Sequence, residues 1–152
     1  MRTASGIAHR SRGFTLIELV VVMTIITILA GAVAIQVTNR IRHARRARAV
    51  QDIQTLETAV DLYTADNGYS PTTQQGLHAL IRQPSSPPVP HNWNGPYLKN
   101  RTSVPKDPWQ NEYVYRCPGQ SNPDGYDLLS YGADGGPGGT DDAADITNVD
   151  LE

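Results

Sequence analysis

Residues 14–37 read FTLIELVVVMTIITILAGAVAIQV, 24 positions carrying one formal charge, Glu18. At ~1.5 Å per residue this stretch spans roughly 36 Å as a helix, enough to cross a hydrocarbon core of ~30 Å. A core helix of that length with no polar face has little to pack into within a 152-residue chain, so the run predicts a membrane span. Beyond it the pattern changes without a break. Ile41, Ala44, Val50, Ile53, Leu56, Val60 and Tyr63 recur mostly three or four residues apart, with charges between them, which makes one amphipathic helical face. No Pro or Gly falls between Ala32 and Asp66, and Asn67-Gly68 followed by Pro71 is a stop signal. A single helix from Phe14 to Asp66 would measure roughly 80 Å.

After the stop, Thr72–Ile81 reads as a short helix or turn, and the Pro-rich stretch 83–98 (QPSSPPVPHNWNGPYL) as a loop. Val104–Trp109 (VPKDPW) is another turn. Glu112–Arg116 and Tyr126–Tyr131 are strand candidates separated by a Gly-, Pro- and Asn-rich connection. They predict a small antiparallel sheet against the amphipathic face, and so an α+β domain. Residues 132–145 (GADGGPGGTDDAAD) form a loop with no packing of their own.

The net charge of −2 hides a polarity. Residues 1–48 hold eight arginines against Glu18 alone, whereas from Cys117 onward there are seven Asp, one Glu and no Lys or Arg. The two ends therefore read as facing different chemistry. HARRAR (43–48) lacks the interleaved aromatics or reading motif of a nucleic-acid binder. Cys117 is the only cysteine, so no internal disulfide staples the domain, and a small exported fold then needs another device such as a metal. Asp134, Asp141, Asp142 and Asp145 lie within twelve residues among glycines. Calcium takes six to eight hard oxygens at ~2.3–2.6 Å, from carboxylates and carbonyls alike, so the loop is a candidate cation site; the alternative is a plain acidic loop. It is not an EF-hand. No catalytic motif occurs, and His9, His43, His78 and His91 are scattered. Trp93, Trp109 and the tyrosines read as packing residues.

Three readings compete for the N-terminus. A secretory signal would be cut at Ala30–Ala32 or Ala32–Ala34, but Glu18 interrupts its apolar region. A plain signal anchor would merely tolerate Glu18. The third reading starts from Gly13-Phe-Thr-Leu-Ile-Glu18, which closely resembles the processing site of type IV pilins and pseudopilins. That resemblance implies cleavage by a prepilin peptidase between Gly13 and Phe14, release of leader 1–13, and methylation of the new Phe14 amine. Glu18 then has a physical role. A carboxylate within hydrocarbon marks function, and the amine at Phe14 gives it a partner in its own chain or in a neighbouring subunit. Breaking a buried ion pair costs about 3–5 kcal/mol, so subunits added out of register are penalised. The arginines argue the other way: five follow the span and three precede it, which by the positive-inside rule puts the globular part in the cytoplasm. The processing motif is the more specific signal and outweighs them.

Further along, Asn94-Gly-Pro-Tyr-Leu98, Pro105-Lys-Asp-Pro-Trp109, Tyr126-Asp-Leu-Leu-Ser-Tyr-Gly-Ala-Asp-Gly135 and Asp145-Ile-Thr-Asn148 resemble the major pseudopilins of type II secretion. This resemblance covers essentially the whole chain after the leader. It implies a type IV pilin-like fold, with an assembly helix at 14–37 and a periplasmic domain at 38–152 (amphipathic helix 38–67, loops and sheet 68–152). It implies a non-enzymatic filament subunit in the bacterial inner membrane, crossing it once and driving protein export across the outer membrane. Its partners would be further copies of itself, the peptidase, other pseudopilins, inner-membrane secretion components and lipid. In that family calcium stands where type IVa pilins have a disulfide. Carried onto this chain, its ligands are Asp134 and Asp145, with Asp142 and the Tyr131 backbone carbonyl, and Asp141 less suited. Alternatives are a type IV pilin or minor pseudopilin, or a membrane-anchored calcium-dependent periplasmic binding module that does not polymerise. The chain departs from common relatives at Ile35, where many have a helix-kinking proline, at Val149, where tryptophan is common, and in a slightly long glycine-rich loop.

Processing is tested by intact mass of the protein from a host with the cognate peptidase. The expected species runs Phe14–Glu152 with a methylated N-terminus. An uncut chain, or one cut after Ala32 or Ala34, removes the prepilin reading.

Overall fold

The computed structural model describes residues 13–99 and 101–151, and within them the side chains of all but 32–35. The expected leader lies outside these residues apart from Gly13, and the Ile35 side chain lies outside them as well. The chain divides into two compact units, up to Arg40 and from Ile41 on. Helix α1, Leu16–Asn67, contributes to both.

In the first unit α1 has no cover. Leu16 is 84% exposed, Ile17, Met23 and Ile28 are more than 60% exposed, and the described side chains of 14–31 are all exposed. This part of α1 is long and apolar enough to cross a membrane.

The second unit is built on the face of α1 that carries Ala49, Ile53, Leu56, Ala59, Val60 and Tyr63, each at most 2% exposed. Their three- and four-residue spacing puts them on one stripe. The stripe starts later than the periodicity suggests: Ile41 is 48% exposed and Ala44 is also exposed. At that level the contacts to α1 are polar, with Arg42 Nε 4.0 Å from Asp142 Oδ2 and Arg46 Nη1 donating to the Ala144 carbonyl at 3.5 Å. The basic and acidic segments that seemed to face different chemistry thus meet each other. The helix ends as its stop signal requires. Gly68 has φ +81° and donates to the Thr64 carbonyl, a left-handed cap that glycine adopts without steric cost.

Three short strands share their core with this stripe: β1 (Val114–Arg116), β2 (Asp127–Ser130) and β3 (Ile146–Thr147), antiparallel in the order β1-β2-β3. Tyr115 pairs with Leu128, and Ser130 with Ile146. β1 and β2 fall inside the expected strands but are shorter, and β3 was not expected. Every residue of β2 is buried, as befits the central strand. The segment Thr72–Ile81 resolves into a 3-10 helix, Gly76–Leu80, that buries Leu77, Ala79 and Leu80. The Pro-rich loop is tied down by aromatics. Trp93 Nε1 donates to the Ala79 carbonyl at 2.9 Å, and Tyr97 donates to Asp66 Oδ2 at 2.9 Å while meeting Tyr63 edge-on.

The connection between β1 and β2 folds around one carboxylate. Asp127 is 3% exposed and accepts backbone N–H bonds from Gln120, Ser121 and Asn122 at 2.6–3.2 Å. Burial pushes its pKa up, but those donors and the nearby Arg116 outweigh burial, and the net shift is below 3.8. A group with a depressed folded pKa contributes stability that is present above the unfolded value and is lost as pH falls through the folded one. Denaturant melts should therefore show an acid limb opening below the unfolded value. Asp127→Asn should cost about 1–3 kcal/mol at neutral pH, because its amide cannot accept from all three donors, and should flatten that limb. An unchanged limb in the variant would assign the acid sensitivity to another group.

Candidate functional site

Two places carry chemistry. At the N-terminus, Gly13 and Phe14 precede the helix; Phe14 is 82% exposed, and nothing lies within 4 Å of the position a Gly13 side chain would take. The described backbone at the expected cut is thus unobstructed. Thr15 is the helix N-cap: its hydroxyl accepts from the Glu18 N–H at 3.3 Å, and its carbonyl accepts from Leu19 at 3.2 Å. Glu18 sits in the first turn, where free N–H groups give the helix a partial positive charge that favours a carboxylate. Thr15 was missed in the sequence, although Thr-x-x-Glu before an apolar run is the signature of a capping box. The cap fixes where Glu18 stands relative to Phe14, whose amine cleavage would free.

The second place is the loop between β2 and β3. Asp145 is held at one oxygen: Oδ2 accepts from the Gly138 N–H at 2.9 Å, whereas Oδ1 is buried with no hydrogen-bond partner. Asp134 is exposed, and its Oδ1 accepts from the Gly136 N–H at 3.2 Å. The Asp142 carboxylate approaches Arg42, and its backbone carbonyl accepts from Ala133 at 3.0 Å. Asp141 is exposed with φ +55°. The Tyr131 hydroxyl accepts from Arg116 Nη2 at 3.0 Å.

The four named ligand positions are therefore on one loop but are not gathered as carboxylates. Among the described residues no three acidic, His or Cys side chains converge in a way that could hold a metal ion. The residues nonetheless fit a hard cation. A buried carboxylate oxygen without a donor is costly, and Asp145 Oδ1 is such an atom. The side chains of residues 131–145 offer only oxygen ligands, which suits calcium and not zinc. Glycines with positive φ at 132, 135, 138 and 139 let the loop take conformations that larger residues resist. A second missed residue lies beside this loop: Asn111 Nδ2 donates to the Gly132 carbonyl at 2.8 Å.

Comparison with known proteins gives the relatives of the chain. The model of the family described as "Type II secretion system (T2SS), protein G" matches residues 36–149, and that of the "Prokaryotic N-terminal methylation motif" matches residues 8–34. The chain is 48% identical over 143 residues to the "Type II secretion system core protein G" of Pseudomonas aeruginosa, covering 93% of this chain and 97% of that one. It is 44% identical to the protein of the same description from Escherichia coli K12, covering 93% of each. Among solved structures, the major pseudopilin of the type 2 secretion system of enterohaemorrhagic Escherichia coli superposes with a TM-score of 0.59 at 37% identity, covering 70% of this chain and 87% of that one.

Proposed function

We infer the working of this chain from its family: it belongs to the protein G family of type II secretion systems, the major pseudopilins. It is a membrane-anchored subunit of a structural family that is not a family of enzymes. The observation that carries the finer reading is the uncovered apolar surface of α1 before Arg40, with a single carboxylate in its first turn. Such a surface has two compatible environments, lipid and the same surface of other copies. A subunit that moves from the first to the second needs no folding change in its second unit. The chain thus waits as a single-pass protein of the bacterial inner membrane, with residues from Ile41 on in the periplasm. A prepilin peptidase removes residues 1–13 and methylates Phe14. The mature chain then polymerises through its helix into a helical filament, together with other pseudopilins and inner-membrane secretion components, and growth of that filament drives export across the outer membrane.

Glu18 sets the register in this scheme. In lipid it pairs with the amine at Phe14 of its own chain; in the filament it pairs with that of a neighbour. Only one axial stagger places each amine against a carboxylate, and any other leaves charge unpaired in an apolar bundle. Glu18→Ala should insert and be processed normally, since replacing a charge by a methyl favours insertion. It should form few adjacent-subunit crosslinks and secrete poorly. Normal crosslink ladders from this variant would show that register is set elsewhere.

The same reading gives the loop between β2 and β3 a calcium ion. Asp145 and Asp134 would hold it, with the Tyr131 carbonyl; Asp142 would join them by giving up its approach to Arg42. The ion supplies charge neutralisation and a tie across a glycine-rich segment whose ordering entropy is large. The support is the orphaned Asp145 Oδ1. For a site of the extracellular type, Kd would be about 0.1–1 mM, and a hundredfold excess over Kd would stabilise the fold by about 2.7 kcal/mol. The full chain in detergent should melt several degrees lower in chelator than in calcium at a hundredfold excess over Kd, which is tens of millimolar for a Kd of about 0.1–1 mM. Asp134→Ala or Asp145→Ala should abolish the difference, and magnesium should substitute poorly. Identical melts with calcium and with chelator would dismiss the ion.

A further inference from the structure

Asp107 is 1% exposed, a buried acid that none of the assigned roles uses. Its Oδ1 accepts from the N–H groups of Trp109 at 3.0 Å and Asn111 at 2.8 Å, which closes the 105–111 turn. Its Oδ2 accepts from the Ser130 hydroxyl at 2.6 Å, and Ser130 Oγ accepts in turn from the Gly132 N–H at 3.2 Å. The Asn111 side chain meets the other end of the same residue, donating to the Gly132 carbonyl at 2.8 Å. Gly132 is thus held at its N–H by Ser130, which is itself bonded to the buried Asp107, and at its C=O by Asn111 of the same turn. Two further features restrict it. Its φ is +69°, and a side chain there would lie 2.8 Å from the Asp142 carbonyl, the group that also accepts from Ala133. Asn111 also sits under Gly135, where an added side chain would lie 3.2 Å from Asn111 Oδ1.

Tyr131 and Asp134, two of the proposed calcium ligands, flank Gly132 and Ala133. We propose that Asn111 and the Asp107–Ser130 pair are positioning residues for that cation site, fixing the Tyr131–Asp134 segment before an ion enters; this rests on the calcium reading of the loop. The physical basis is preorganisation. A flexible glycine-rich segment must be ordered when it binds, and contacts that order it beforehand raise affinity without touching the ligand. Groups of this kind around metal sites matter because they orient the donors. The start of the loop and the Asp-Pro-Trp turn then form one unit, although about twenty residues separate them in sequence.

The test uses the full chain in detergent micelles, titrated with calcium chloride by calorimetry and melted in calcium and in chelator. Asn111→Ala is the deciding variant, because it keeps the backbone N–H that bonds Asp107. Ser130→Ala is the second, and its melt in chelator reports whether it folds. The expected result for Asn111→Ala is about tenfold weaker calcium binding and a smaller calcium-induced rise in Tm, with a chelator Tm close to that of the parent chain. A merely structural role would lower Tm equally in calcium and chelator and leave affinity intact, which overturns the proposal. If the parent chain itself binds no calcium, the cation reading fails and this proposal falls with it. If the parent binds and Asn111→Ala binds equally well, the proposal alone is wrong.

Discussion

Water cannot solvate the first part of α1 favourably, and the described residues offer it no cover. Burial of apolar surface is worth roughly 25 cal/mol per Å², and from Phe14 to Leu29 the large side chains stand about half exposed or more. A soluble fold would bend this segment back on itself or lose it to aggregation. Here it is kept uncovered, and that single fact dictates the rest. It requires a lipid phase before assembly and an apolar partner after it. It also makes any charge within the segment expensive, so Glu18 stands out as the one polar side chain with an electrostatic reason to be there.

The second unit solves a different problem, a small core with few strands. Its sheet has three strands of two to four residues, and much of what covers α1 is loop. Loops carry backbone groups that must be satisfied wherever they are buried. This domain does so with side chains that act as local anchors: Asp127 for the β1–β2 connection, Asp107 for the Asp-Pro-Trp turn, Gln75 for the Pro-rich loop through the carbonyls of Ser86 and Pro88. Asp127 and Asp107 are buried carboxylates that accept several bonds apiece. The fold therefore depends on acids outside the loop between β2 and β3 as much as on acids within it.

The sequence revealed what is encoded locally and hid what is encoded by contact. The apolar run, the Gly13–Glu18 motif and the stop at Asn67-Gly68 are contiguous; the run and the stop were legible from residue type and order, the motif from its resemblance to prepilin processing sites. The amphipathic stripe was legible from Val50 to Tyr63 but overextended to Ile41 and Ala44, since periodicity says which face is apolar and not how far its cover reaches. β3 was invisible. Ile146 and Thr147 are two residues in an acidic tail, and only Leu129 and Ser130 opposite make them a strand. The candidate ligands were legible as a composition, yet the one atom that argues for a cation, Asp145 Oδ1, is distinguished by burial alone. Asp107 read as an ordinary turn residue and Asn111 was not singled out, because their partners lie on β2 and in the loop after it.

The arginines after the membrane run posed a contradiction that the structure reduces. Counted along the sequence they oppose the orientation that processing requires. In the fold, three of the five have partners in their own unit: Arg42 approaches Asp142, Arg46 donates to the Ala144 carbonyl, and Arg48 lies 3.6 Å from Asp52, which also accepts from the Tyr113 hydroxyl. Each contact is exposed or long and contributes little stability alone. Their effect is on charge placement. An acidic, cysteine-free tail folding onto a helix needs cations on that helix, and those cations must lie beyond the apolar run because the run cannot hold them. The basic cluster is thus a consequence of where the acidic loop docks, a constraint of the folded unit.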